Sequence, residues 1–359
     1  MEIIMGEREL MKGNEALAEG AVRAGCRFFA GYPITPQNEI PEYMSWRLPE
    51  VGGTFIQAES EVAAINMLFG ASACGARVMT SSSGPGISLK QEGISYTASA
   101  ELPIFYANVV RGGPGLGNIA PSQGDYFQAT RGGGHGDYRV FVMAPNSVSE
   151  MGNFPKVCYE IADKYRMVTM VLADGLLGQM MEPIVFDFDP VDPATLPPKE
   201  WALGIATGRP RRVVRSYDLK PGYMEKHVWK LMEKYNKVEE NEVRYETTLV
   251  DDAEILIVAY GTCSRISKAA LSLGRKENIK IGLLRPITLW PFPMKPLNDL
   301  SSRIKKILVV EMSAGQMIED VKLAIEGKSQ VFFHGRPAGG IPTGEEVLGV
   351  VKKIMGIGI

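Results

Sequence analysis

Cysteine is scarce in this chain of 359 residues: Cys26, Cys74, Cys158 and Cys263 stand far apart, and no C-x-x-C occurs. That excludes a zinc ribbon and a ferredoxin-type cluster run within the chain, and it offers no secreted disulfide framework. Histidine is scarcer still, and His135, His227 and His334 lie too far apart to suggest a local metal motif. An excess of one charge is also missing, since 39 basic and 41 acidic side chains leave a net charge of -2. A nucleic-acid groove or an anionic membrane surface would need a basic excess. No apolar run approaches the roughly 20 residues of a spanning helix, and the N-terminal MEIIMGEREL has no signal-peptide pattern. The expectation is a soluble, cytoplasmic protein that binds neither nucleic acid nor membrane. Serine hydrolases are disfavoured by the lack of G-x-S-x-G, and nucleoside triphosphate binding by the lack of G-x-x-x-x-G-K-[ST].

What the chain does have is 45% apolar residues, enough for sizeable cores, and a length that suits about two domains. Helical and strand signals alternate through the first half. Asn14 is placed to cap a helix through Arg23, CRFFAGY reads as a buried strand, and Thr35-Pro36 reads as the start of the next helix. The strands TFIQAE, RVMTSS, LPIFYANVV, YRVFVMAP and MVTMVLAD follow, separated by helical stretches such as SEVAAINMLFGASACG. This βα rhythm predicts a mostly parallel sheet covered by helices on both faces. Prolines at 190, 193, 197 and 198 and a charged helical stretch interrupt it, and a second α/β unit begins at AEILIVAYGT. The expected organisation is an α/β domain over 1–185, a linker over 186–250 and a second α/β domain over 251–359.

Three constellations offer chemistry. GYPITP (31–36) places a hydroxyl where a helix is expected to start, and free amides there favour an anion; the alternative is that Thr35 merely caps its own helix. Glu59 and Glu61 in QAESEVAA sit where a strand gives way to a helix, at the carboxyl end of a sheet where α/β proteins bind ligands. A carboxylate there can exchange a proton with a heterocycle, or simply favour the first turn of its helix. The third is the glycine set SSSGPG, RGGPGLG and RGGGHGD, which permits close backbone approach to a ligand. Arg111 within it can pair with a carboxylate or form a surface ion pair.

Together GNEALAEGAVRAGCRFFAGYPITP, ESEVAAINMLFGAS, TSSSGPGISL and RGGPGLGNIAPSQGDYFQATRGGGHGD resemble the alpha-type subunit of 2-oxoacid:ferredoxin oxidoreductases. ILIVAYGT and LLRPITLWPFP resemble the transketolase C-terminal-like domain of the same family. The resemblance implies a thiamine-diphosphate-binding domain of the pyrimidine type, followed by that second α/β domain. It implies oxidative decarboxylation of a 2-oxo acid to acyl-CoA and CO2, with coenzyme A as co-substrate and ferredoxin as electron acceptor. Thr35 and Arg111 would hold the 2-oxo acid, Pro33 would line the pyrimidine contact, and Glu61 would bond the pyrimidine ring nitrogen. Glu61 is chosen over Glu59 because Gly70 lies nine residues on, the spacing of related thiamine enzymes.

The family's Gly-Asp-Gly motif with a following Asn-Asn pair is missing, ADG at 173–175 being the nearest approach. The diphosphate and its Mg2+ are therefore expected on a beta-type partner subunit, and the iron–sulfur clusters on other subunits. A gamma-type subunit, a ferredoxin-like subunit and a dimer of heteromers complete the implied assembly. GGPGLGNIAP after Arg111 resembles the branched-chain (2-ketoisovalerate) members; 2-oxoglutarate is the alternative substrate, and a non-catalytic scaffold the alternative of another class.

Overall fold

A computed structural model describes residues 8–204 and 207–357. The first half contains β1 (Glu9–Lys12), α1 (Gly13–Arg23), β2 (Phe28–Gly31), α2 (Glu39–Glu50), β3 (Thr54–Gln57), α3 (Glu61–Ala73), β4 (Val78–Ser82) and α4 (Pro85–Ser99). It continues with β5 (Ile104–Val110), α5 (Tyr126–Arg131), β6 (Phe141–Met143), α6 (Val148–Tyr165), β7 (Val168–Asp174), α7 (Gly175–Gln179) and β8 (Met181–Ile184). Then come α8 (Tyr223–Asn241), β9 (Tyr245–Thr248), β10 (Ile255–Val258), α9 (Gly261–Lys276), β11 (Ile281–Pro286) and β12 (Thr288–Trp290). The last elements are α10 (Met294–Ser301), β13 (Lys306–Glu311), α11 (Met317–Ile325), β14 (Gln330–Gly335) and α12 (Gly344–Met355).

The main sheet has the order β12-β6-β7-β5-β4-β2-β3 and is parallel except for β12. Its central strands β5 and β7 are buried along their whole length, as expected of apolar strands covered on both faces. A second sheet, β14-β13-β10-β11-β9, is parallel except for β9. The predicted α/β architecture is borne out. The stretch between the sheets has structure of its own: Leu231, Tyr235 and Val238 of α8 are buried in the core shared with the first sheet, and β9 pairs with β11. β12 leaves the second unit to pair with β6, and Trp290 on it meets Tyr235 edge-on at 5.8 Å.

Two helix starts differ from the sequence reading. Asn14 does not cap α1; it lies inside the first turn, and its amide donates to the Pro36 carbonyl and to Glu39, both at 2.8 Å. Nor does Thr35-Pro36 begin a helix, because α2 starts at Glu39. The Pro36 carbonyl is taken by Asn14 and by Gln179 Nε2 (2.9 Å), while the Gln37 amide closes a turn on the Ile34 carbonyl. These bonds hold 34–37 as a turn. With Glu39 and Glu42 in its first turn, α2 offers an anion no site.

The two units are bolted together at the carboxyl end of the main sheet. Asp174, at the end of β7, is buried and accepts from Thr262 Oγ1 (2.8 Å), the Thr262 amide (3.2 Å) and the Leu177 amide (3.1 Å). Burial pushes its carboxyl above the usual range, with those hydrogen bonds opposing. The Gln123 side chain donates to the Tyr260 carbonyl (3.0 Å) and accepts from the Met312 amide (2.9 Å).

Candidate active site

The sheet order changes direction at β2, where β3 lies on one side and β4 on the other. In open α/β sheets, ligands bind outside the carboxyl ends of the strands at such a switch point. There the turn after β2 carries Pro33 and Thr35, the loop after β3 leads to Glu61, the loop after β4 is Ser83-Gly84, and Arg111 follows β5. All four residues singled out in the sequence thus lie on neighbouring strand ends.

Of the two glutamates, Glu59 is exposed and Glu61 is buried, at 5% exposure. Ser60 has extended backbone, and its hydroxyl accepts from the Ala63 amide, so it caps α3 and turns Glu61 inward as the first helical residue. The Glu61 carboxylate lies in a notch made by Gly86 of α4. A Cβ at Gly86 would come within 2.4 Å of Glu61 Oε1 and 2.2 Å of Ser82 Oγ. Gly84, with φ +46, is the second close approach: a Cβ there would meet Arg111 Nε at 3.1 Å. The two glycines therefore let one loop touch both Glu61 and Arg111.

Arg111 is held by backbone. Its guanidinium donates to the Thr35 carbonyl at 3.0 Å and to the Leu116 carbonyl at 2.9 Å, while buried Nε has no partner among the described residues. Thr35 and Pro33 are exposed, and the Thr35 hydroxyl accepts a long 3.4 Å bond from Asn38. Arg111 opens onto a cavity of about 490 Å3 lined by Gly84, Pro85, Ser88, Gly112–Leu116, Ser122, Asp125 and Gln128. Ser313, Ala314, Gln316, Pro337 and Ala338 of the second unit close it. Glu61 is not among the lining residues; it faces the notch behind Gly86.

The sequence reading missed the far wall and also Asp125. Asp125 accepts from Asn108 Nδ2 at 2.9 Å, and burial raises its carboxyl above the usual range, with Asn108 and Arg111 opposing. GDYFQ has no motif character, and residues 313–338 are some 200 positions away from Arg111, so no local signal marks them. His135 is exposed, and only its carbonyl is used, accepting from Ser95 Oγ. Among the described residues no group of three or more His, Cys, Asp or Glu is placed to hold a metal. Asp174, the acid of the ADG run, is occupied as a helix cap and as the latch to Thr262.

The residues suit one half of a thiamine diphosphate site. An exposed turn, a buried carboxylate in a glycine notch and the hydroxyls of Ser82 and Ser83, unpartnered among the described residues, can receive a heterocycle, whereas no acidic cluster among the described residues is placed for a diphosphate-bound metal.

Fold and site together define an α/β protein whose candidate site lies at a sheet switch point, with a buried carboxylate and an arginine on adjoining strand ends. The chain belongs to the 2-oxoacid:ferredoxin oxidoreductase family, as the resemblance in the sequence indicated. The family described as pyruvate flavodoxin/ferredoxin oxidoreductase, thiamine diphosphate-binding, matches residues 19–246, and pyruvate:ferredoxin oxidoreductase core domain II matches residues 253–347. The ketoisovalerate oxidoreductase subunit VorB of Methanothermobacter thermautotrophicus is 49% identical over 97% of this chain and 98% of its own length. The 2-oxoglutarate synthase subunit KorA of Methanocaldococcus jannaschii is 36% identical over 94% of this chain and 98% of its own. The 2-oxoglutarate:ferredoxin oxidoreductase of Magnetococcus marinus, solved with 2-oxoglutarate, coenzyme A and succinyl-CoA bound, superposes with a TM-score of 0.83 at 26% identity. That match covers 97% of this chain but 65% of the other, so this chain spans just under two thirds of its length. No helix among the described residues is long and apolar enough to cross a membrane.

Proposed function

We propose that this chain is the pyrimidine-binding subunit of a complex that converts a branched-chain 2-oxo acid, 2-ketoisovalerate, with coenzyme A to acyl-CoA and CO2 while reducing ferredoxin. The observation that carries the reading is the convergence of Thr35, Glu61 and Arg111 on adjoining strand ends around the Gly84–Gly86 loop. Thiamine diphosphate, when bound, supplies the carbanion chemistry that releases CO2. Glu61 holds the pyrimidine ring nitrogen through its buried carboxylate, and so controls where the ring keeps its proton. Pro33 lines the ring's edge, while Thr35 and Arg111 receive the carboxylate and carbonyl of the 2-oxo acid.

No carboxylate cluster among the described residues is placed for a magnesium-bound diphosphate, which supports giving magnesium and diphosphate to a beta-type subunit. With four dispersed cysteines, three of them buried, the iron–sulfur clusters fall to a ferredoxin-like subunit. A gamma-type subunit and pairing into a dimer of heteromers in the cytoplasm complete the assembly. The division 1–185, 186–250 and 251–359 is kept as the working domain scheme.

A branched-chain substrate is favoured over 2-oxoglutarate by similarity, 49% against 36%, and by charge. Arg111 is the one cation among the cavity's described lining residues and Asp125 the one carboxylate. One arginine serves one carboxylate, and a second carboxylate on the substrate would find no second cation there. The test is acyl-CoA formation by the complete complex on a panel of 2-oxo acids. The highest kcat/KM should fall on 2-ketoisovalerate; a higher value with 2-oxoglutarate overturns the substrate assignment. In the same assay Arg111→Ala should raise KM by roughly 30-fold, the equivalent of about 2 kcal/mol for a charge-assisted hydrogen bond lost. An unchanged KM would remove Arg111 from the substrate site.

A further inference from the structure

Lys90 is a buried charge that the described contacts leave unexplained. It is 0% exposed, and its Nζ has no hydrogen-bond partner among the described residues. A lysine is almost never buried in this way without a pairing role, because desolvating the ammonium is costly. Its place on α4 says what it faces. Gly86, Lys90 and Gly93 recur at helical spacing and share one face of α4. The first lies against Glu61, and a Cβ on the last would come within 2.4 Å of Ile65 Cγ2. Lys90 therefore sits between the first two turns of α3, one turn along from the notch that holds the Glu61 carboxylate. β4 lines the same region with Thr80 and Ser82, on one strand face, and both hydroxyls are buried without partners among the described residues.

Charges on the neighbouring loop at 131–138 are engaged or exposed: Arg131 pairs with Asp320 at 2.8 Å, and His135 and Asp137 are exposed. β7 brings apolar side chains and Thr169 before Asp174, whose carboxylate is engaged by Leu177 and Thr262. The loop at 131–138 meets Gln91 and Ser95 through Tyr138 and the His135 carbonyl.

We propose that Lys90 is a positioning residue for Glu61, its buried ammonium holding that carboxylate in the Gly86 notch. The proposal rests on the role given to Glu61 above. Burial pulls the Lys90 ammonium down to about 8, and the Glu61 carboxylate opposes the shift. The sign of the linkage follows. A lysine whose folded value is depressed costs the fold stability, in full below about pH 8, and the cost fades from there up to the ordinary lysine value of about 10.4, above which it is gone. Lysine is thus a stability liability at this position, which a methionine of similar length would relieve.

Lys90→Met tests the proposal in the complete complex and in the full chain. The chain should melt at least as high as wild type at pH 7, with any gain disappearing above pH 11. In the complex, kcat should fall at least tenfold at pH 7 with KM for the 2-oxo acid within twofold. A lower melting point would make Lys90 structural, and an unchanged kcat, or a KM that rises in step with the loss of kcat, would show that its charge does not act on the reaction; each overturns the proposal. The Glu61→Gln background separates this proposal from the one beneath it. There Lys90→Met should cause no further loss, and a full additional loss refutes the coupling. Wild-type turnover by Glu61→Gln alone would instead refute the role of Glu61.

Discussion

Glu61→Gln should leave the chain folded and the complex assembled while lowering ferredoxin-linked turnover by roughly 10²–10⁴-fold, the range for loss of a positioned proton-handling group. Glutamine keeps the shape that fills the notch beside Gly86, where the carboxylate oxygen and Ser82 Oγ crowd the same point. It also keeps the first helical position behind the Ser60 cap. What is lost is the negative charge and the ability to take a proton. Removing an acid from the first turn of α3 costs under about 1 kcal/mol, and the buried Lys90 ammonium loses the carboxylate that opposes its shift, so the melting temperature should fall modestly without loss of the fold. Steady-state reduction of ferredoxin, with thermal denaturation of the same preparation, checks both halves. Turnover within tenfold of wild type would take Glu61 out of the proton path.

The largest loss of stability is expected from Gly20→Ala. α1 and α6 cross in van der Waals contact at Gly20 and Gly152, where a Cβ on Gly20 would fall 1.9 Å from the Gly152 carbonyl oxygen and 2.8 Å from its carbon. Neither atom can swing aside, because both belong to the backbone of a helix packed on the main sheet. The helices must separate, and overpacking ordinarily costs 1–3 kcal/mol. With backbone on the receiving side, a loss of about 3 kcal/mol is expected, a large part of a domain's 5–15 kcal/mol, and a fall of roughly 6–12 °C in melting temperature. Gly70→Ala is the control. Gly70 lies inside α3 with nothing within 4 Å of the added carbon, so alanine should stabilise the isolated chain slightly through helix propensity. Equal effects of the two substitutions would show that close helix approach is not what Gly20 provides.

Much of the site was legible because its residues are punctuation. A strand that ends in glycine, proline or a helix cap announces a loop at the carboxyl edge of a parallel sheet, and GYPITP, QAESEVAA, SSSGPG and VVRGG all do so. Family motifs then gave roles to particular positions. Two local readings failed for one reason. Asn14 and Thr35-Pro36 both look like helix starts by themselves, but in the fold the Asn14 amide reaches over to the Pro36 carbonyl, 22 positions away. A hydrogen bond between distant segments outweighed a cap worth about 1 kcal/mol.

By itself, then, the sequence determined the α/β alternation, the family and the strand ends that carry Thr35, Glu61 and Arg111, since each is written within a few residues. Only the tertiary structure decided the rest. It buried Glu61 and left Glu59 exposed, brought Ser313 and Ala338 across to close the cavity, and buried Lys90 on the α4 face toward α3 with no partner among the described residues. Burial and juxtaposition come from how helices and sheets pack, and packing joins residues that have no local relation in the chain.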